Sequence, residues 1–234
     1  MHNLTIETLL SEMPRFHAMF AQDRTAIPNA VSHGIQAAIL HWIGQNVRPG
    51  FHSLETGCGY SSIAFISAGA RHTVVSPTQS EHESIQKWCV DHEVSLENAR
   101  FLAGRSQAIL PTLETESLDV VLIDGDHAFP GPFLDWAFTA DRLKKDGVLI
   151  VDDTDLVTGT ILESFLLMER HNWILEDTKG KTSFFRKLVD GTVTQPEWHG
   201  LQPFAAKRDR SVLRRIRRKL AQILAHSDDA LFWR

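Results

Sequence analysis

Two rhythms of hydrophobic positions alternate along the chain. Short, nearly continuous apolar runs such as 118–123 and 148–151 read as buried strands. Between them lie longer stretches in which apolar side chains recur every three to four positions, as in Val31, Ile35, Ala38, Ile39, Trp42 and Ile43, the spacing of one helix face. In order, the pattern predicts a helix from an Asn29 cap to about Asn46, a strand running into Glu55, and a helix to about Ala68. A strand over 72–76, a helix over 83–92, a strand over 100–103 and a short helical turn over 106–113 follow. Next come a strand over 118–123, a helix over 133–145 closed by Asp146-Gly147, a strand over 148–151 and a helix over 159–172. A hairpin over 173–177 and 182–189 ends the series, turning at Lys179-Gly180-Lys181. Strands that are apolar on both faces and alternate with helices specify a parallel sheet covered on both sides. The expected fold is therefore α/β: a doubly wound, Rossmann-like, mostly parallel sheet with helices on both faces and a C-terminal antiparallel hairpin. Residues 1–28 form a cap segment with Leu9, Leu10, Met13 and Phe16 on one face, interrupted by Pro14 and Pro28. Residues 29–190 form the main domain. Residues 191–234 hold a loop and a basic amphipathic helix over 207–225.

Composition narrows this little. A chain of 234 residues, 43% hydrophobic and 23% charged, suits one α/β domain with additional helices. The formal charge of −5 argues against a molecule built around nucleic acid. Cys58 and Cys89 are the only cysteines, so no disulfide framework is expected. No apolar run approaches about 18 residues, so no membrane span is expected. No basic start followed by an apolar block marks a secretory leader, and a cytoplasmic setting is expected. The histidines show no close metal-binding pair, so they indicate no zinc site. Residues 207–219 carry eight basic side chains and one acidic one. That stretch suits packing on the domain or on a second copy, docking to a partner or membrane surface, or contact with nucleic acid or an acidic substrate.

The candidate chemistry sits at strand ends. Glu55, Gly57 and Gly59 form a strand–glycine turn–helix unit, where free N–H groups and the helix dipole favour a nucleotide-like ligand. The third glycine of the dinucleotide fingerprint is missing, with Ser61 or Ser62 near its place, so an ordinary strand-to-helix turn is the alternative. Asp124-Gly125-Asp126-His127 and Asp152-Asp153-Thr154-Asp155 end two further strands. In a doubly wound sheet ligands lie outside the carboxyl ends of the strands. Neighbouring strand tips lie about 5 Å apart, so Asp124, Asp152 and Asp153 can share one hard cation such as magnesium. The alternative is that these aspartates cap helices and turns. His127 has the intrinsic pKa of a base near neutrality, with Asp124 and Asp126 as rival proton acceptors. A hydrogen-bonding prop is the plainer role for it.

Together, these motifs and their order resemble the class I S-adenosylmethionine-dependent methyltransferases over roughly residues 30–190. The glycine turn is similar to that family's first motif, an acidic residue followed by Gly-x-Gly. The two acidic strand ends resemble the metal-dependent small-molecule O-methyltransferases, nearest the group that methylates sugars and aromatic hydroxyls of natural products. The resemblance implies S-adenosylmethionine as cofactor, Mg2+ or another divalent ion, and methyl transfer to a hydroxyl of a small molecule. It places Gly57 and Gly59 against the methionine moiety, Glu55 near its ammonium group, and Asp124 beside the cofactor. Ser76 stands where the family usually has an acid for the ribose, with Thr78 or Glu81 as substitutes, and Ser106 falls near the adenine. Phe129, Phe133 and Trp136 line the acceptor pocket or simply pack a helix start. Remaining alternatives are a metal-free methyltransferase using Asp124 or His127 as base, a nicotinamide-dependent enzyme, and a non-catalytic module on the same fold.

Overall fold

The computed structural model describes residues 2–16, 37–114 and 117–194. The expected helix start at Asn29, the rest of the cap segment and the basic stretch 207–225 lie outside these residues.

Seven strands form one sheet in the order β3-β2-β1-β4-β5-β7-β6. They are β1 (His52–Thr56), β2 (Arg71–Ser76), β3 (Ala99–Ala103), β4 (Leu118–Ile123), β5 (Leu143–Val151), β6 (Trp173–Lys179) and β7 (Thr182–Lys187). The pairings among β1 to β5 are parallel, and β7 runs antiparallel to both β5 and β6. The expected doubly wound sheet with a terminal hairpin is present.

Alternation along each strand divides the core in two. Val120, Leu122, Val148, Ile150 and Phe184 join α2 (Ala37–Asn46), α3 (Tyr60–Ser67) and α4 (Gln79–Asp91) on one face. Leu54, Val75, Val121, Ile123, Leu149, Val151 and Phe185 face the other way, towards α6 (Gly131–Thr139) and α7 (Val157–Met168). The short α5 (Ser106–Ile109) continues as a 3-10 turn over Leu110–Thr112 on that second side.

The cap segment begins with α1 (His2–Glu12), which buries Ile6 and Leu9 in the first core. Phe16 is buried, whereas Met13, expected on the same face, is exposed. The carboxylate of Glu12 accepts from Trp88 Nε1 at 2.8 Å and pairs with His92 Nε2 at 2.9 Å, joining α1 to α4. Tyr60 donates to the Pro14 carbonyl at 2.8 Å. This segment therefore packs on the domain as far as Phe16.

Several boundaries differ from the sequence reading, among them the end of α7 at Met168 instead of 172, and two matter most. The helix expected to reach Lys145 ends at Thr139, and Leu143 already pairs with Leu118 in the sheet. The cause is Lys187, fully buried, whose ammonium donates to the carbonyls of Ala140, Leu143 and Gly191 at 2.9, 2.8 and 2.7 Å. Those bonds satisfy carbonyls left open where the helix stops. Asp146, at φ 64, with Gly147 turns a bulge within β5 and does not close a helix. The second boundary is α4, which begins at Gln79, four residues ahead of the expected start.

Burial pushes the Lys187 amine below the usual lysine range, with Asp141 and Asp190 opposing. A Lys187→Met variant keeps the volume but strands the two buried carbonyls of Ala140 and Leu143. It should lose about 2–3 kcal/mol in urea unfolding, with an unchanged slope.

Candidate functional site at the carboxyl edge of the sheet

A row of backbone hydrogen bonds levels the strand tips. Gly104 N–H donates to the Ser76 carbonyl at 2.9 Å, Gly57 N–H to Val75 at 2.9 Å, Asp124 N–H to Thr56 at 3.0 Å and Asp152 N–H to Ile123 at 3.0 Å. The residues following β1, β4 and β5 consequently line one edge, as the sequence reading expects.

Gly57 sits at φ +91, and a Cβ there would lie 2.0 Å from the Asp124 carbonyl oxygen. The glycine is thus required where the first turn crosses the tip of β4. The N-cap of α3 is Gly59, which has no side chain to bond the first N–H groups of the helix. Gly59 N–H donates to Ser62 Oγ at 3.1 Å, fixing the turn.

Glu55, expected near the cofactor's ammonium group, points into the interior. Its side chain is 1% exposed, lies 3.3 Å from His72 Nε2, and accepts a hydrogen bond from Ser62 Oγ. His72 Nδ1 lies in turn 2.8 Å from Ser53 Oγ. Even positions of β1 point to one face and odd positions to the other, and the odd face is covered by α3. Glu55 therefore shapes the glycine turn from beneath, through Ser62.

Ser76 is also turned inward. Its hydroxyl lies 2.8 Å from His82 Nε2 and 3.2 Å from Cys58 Sγ, and the residue is buried. Cys58 Sγ lies 3.5 Å from Glu81 Oε2. Burial lowers the His82 pKa and raises the Cys58 thiol to about 12, so both are neutral near pH 7. The Ser76 hydroxyl, expected near the ribose, is thus engaged by His82 and Cys58. Glu81, in the first turn of α4, is the carboxylate at this tip.

Ser106 opens α5 and is buried beside Asp135. Asp135 itself is wholly buried, and no hydrogen-bond partner reaches either carboxylate oxygen. Burial raises its pKa above the ordinary carboxylate range, with the nearby Ser106 and Thr56 hydroxyls pulling the other way. A raised folded-state pKa adds stability below the unfolded value near 3.9 and loses it as pH rises through the folded value. Asp135→Asn should therefore gain in melting temperature over the wild type as pH is raised from about 4 to 8. Parallel melts across that range check this.

The acidic turn after β4 divides its labour. Asp126 Oδ1 accepts from the Ala128 N–H at 3.0 Å, while its Oδ2 lies 3.5 Å from Gln107 Nε2 and 3.9 Å from Arg105. It braces two loops and stands apart from the proton-accepting group assigned to it. Asp124 and His127 turn towards the loop after β5. His127 Nε2 lies 3.2 Å from Asp153 Oδ2 and 3.9 Å from Asp124 Oδ1. Thr158, at the start of α7, holds the His127 carbonyl at 2.7 Å. One ligand atom from each of Asp124, His127 and Asp153 lies within 4.8 Å of the others.

The expected metal set is thereby altered. Asp124 and Asp153 come together, but His127 takes the third place and Asp152 does not join. The Asp152 carboxylate is buried and accepts from the Thr182 hydroxyl. Asp153 reaches the cluster because its backbone enters the left-handed region at φ 53, redirecting its side chain from the strand alternation. The following helix passes so close that a Cβ on Gly159 would meet the Asp153 carbonyl at 2.2 Å.

Burial and the crowding of acids set the electrostatics of the site. Burial, then Asp152, Asp153 and Glu55, raise the Asp124 pKa well above the usual carboxylate range, and Lys181 opposes them. Burial raises Asp152 likewise, against its bond from Thr182. Lys181 was missed in the sequence reading. Its ammonium donates to Asp153 Oδ1, from a hairpin turn far along the chain. Phe129, Leu156, Val157 and Ile161 expose large apolar surface. Of the two roles expected for Trp136, acceptor pocket or helix packing, it takes packing, buried in the second core against Phe165. Among the described residues no helix is long and apolar enough to cross a membrane.

Comparison with known proteins agrees with this geometry. A family model described as a methyltransferase domain matches residues 54–154, the span from the tip of β1 to just past that of β5. The curated proteins give no match. Among solved structures, the O-methyltransferase TomG from Streptomyces achromogenes, solved with SAM, is 20% identical with a TM-score of 0.60, covering 77% of this chain and 89% of its own. The SAH-bound methyltransferase PaMTH1 from Podospora anserina is 19% identical with a TM-score of 0.55, covering 71% of this chain and 84% of its own. The O-methyltransferase NovP is 18% identical with a TM-score of 0.57, covering 68% and 84%. Residues 54–154 thus match a methyltransferase-domain model, and the likeness to the solved methyltransferases is one of fold.

Proposed function

We propose that the chain transfers a methyl group from S-adenosylmethionine to a hydroxyl of a small molecule, with a divalent cation assisting. The observation that carries this reading is the meeting of Asp124, His127 and Asp153 beside the glycine turn at Gly57. When bound, the cofactor supplies a methyl group on a sulfonium, and a cation supplies an electrophile that lowers the pKa of the acceptor hydroxyl.

The donor set fits such an ion. Two carboxylate oxygens and one imidazole nitrogen, from Asp124, Asp153 and His127, would hold it. A nitrogen ligand shifts preference from magnesium towards manganese or zinc. The same crowding that raises Asp124 is relieved by positive charge, so either a proton or a cation satisfies it.

The chain's own residues do the rest. The glycine turn and the start of α3 receive the cofactor through backbone N–H groups. The apolar rim of Phe129, Val157 and Ile161 suits an acceptor with an aromatic or otherwise apolar body. As the new carbon–oxygen bond forms and the carbon–sulfur bond breaks, the hydroxyl proton must leave. A metal-free reading is favoured by one contact, His127 Nε2 at 3.2 Å from Asp153 Oδ2. There the imidazole takes the proton and Asp153 orients it.

Incubation with the cofactor and a panel of hydroxylated aromatic and sugar acceptors, read by mass spectrometry, tests the reading. A product 14 Da heavier that disappears with chelator supports cation assistance. Full turnover in chelator selects the imidazole base, and no product across the panel counts against hydroxyl methylation.

A further inference from the structure

Two consecutive residues of the β6–β7 hairpin grip two consecutive residues after β5. Thr182 donates to Asp152 Oδ1, and Lys181 Nζ donates to Asp153 Oδ1. The backbone is clamped as well, since Thr154 N–H and Thr154 Oγ1 donate to the Lys181 carbonyl at 2.8 and 2.7 Å. Gly180, at φ 61, makes the turn that delivers the lysine. Lys181 is therefore held in place and does not merely sweep past the cluster. The ammonium is 29% exposed and its partner carboxylate 15%.

We propose that Lys181 is the resident cation of this site: it fixes Asp153 and competes with a divalent ion for the acid cluster. The inference rests on reading Asp124, His127 and Asp153 as a cation site. Lys181 takes one oxygen of Asp153 and leaves the other towards His127. Ionised, Asp124, Asp152 and Asp153 carry three negative charges, and the ammonium offsets one of them. The remainder matches one divalent ion. A fixed positive charge this close repels that ion and weakens its binding. Metal loading is then reversible and set by supply, and the cluster stays ordered between loadings.

The test is direct titration of Mn2+ into the full chain, followed by calorimetry and by the electron paramagnetic resonance of free Mn2+. Lys181→Met should bind Mn2+ at least about tenfold more tightly than the wild type, while Lys181→Arg stays within about threefold of it. Lys181→Gln gives the same comparison with a polar side chain, should the methionine variant not fold, and circular dichroism checks each protein. Equal or weaker binding in the charge-removing variants overturns the role of Lys181 and leaves the cation site standing. No Mn2+ binding by any of the proteins overturns both the role and the cation half of the functional reading. Binding of S-adenosylhomocysteine, measured in parallel, then reports separately on the cofactor half.

Discussion

Replacing His127 by alanine is expected to lower kcat for methyl transfer by about a hundred- to ten-thousandfold. The imidazole lies against two carboxylates, at 3.2 and 3.9 Å. It is held from behind by Thr158, which bonds its carbonyl, so the loss should be local. Whether the ring takes the proton or binds a cation, its removal strips the acceptor hydroxyl of help in ionising. Binding of S-adenosylhomocysteine should change little, since the glycine turn is untouched. His127→Gln keeps a polar group but no comparable base, and should fall with alanine. Steady-state kinetics with a good acceptor, together with a melt of each variant, check this. Activity within threefold of the wild type would remove His127 from the mechanism.

The second large effect is expected at Gly57→Ala. An L-residue at φ +91 is strained, and the new methyl would sit 2.0 Å from the Asp124 carbonyl oxygen. Strain of about 1–2 kcal/mol and overpacking of about 1–3 kcal/mol add to roughly 3 kcal/mol of lost stability. Because the clash falls between the tips of β1 and β4, the glycine turn and the acidic turn must separate. Cofactor binding and turnover should then fail together, at temperatures well below the melt. Ala68, at the other end of α3, is buried in the first core; Ala68→Gly there should cost only about 1 kcal/mol and leave binding intact. That contrast separates loss of the turn from general loosening.

Much of this architecture was legible from hydrophobic pattern alone, because β4 and the end of β5 are buried on both faces and so carry apolar side chains at nearly every position. The first half of β5 was not. Lys144, Lys145 and Asp146 are exposed at a bulge and look like the end of a helix. The start of α4 was missed for a related reason. Gln79, Ser80 and Glu81 precede the first buried residue of that helix, His82, so periodicity shows nothing there. At the site, Asp124 and His127 were legible because they follow an apolar strand directly. The choice between Asp152 and Asp153 was not, since it depends on a left-handed backbone at Asp153 and on Thr182 from another strand. Glu55 and Ser76 matched a motif by position, yet each is turned into the sheet by a histidine, His72 and His82 respectively. Lys181 lies 28 positions from Asp153, and no local spacing pairs them.

The cofactor cradle is the foundation beneath the rest, and calorimetric titration of the full chain with S-adenosylhomocysteine examines it most directly. One binding site is expected, with Kd on the order of 10 μM, equivalent to about 7 kcal/mol, and at least tenfold weaker in Gly57→Ala. No heat at millimolar ligand, or equal binding by the wild type and Gly57→Ala, would contradict a cofactor seated between the first glycine turn and Asp124.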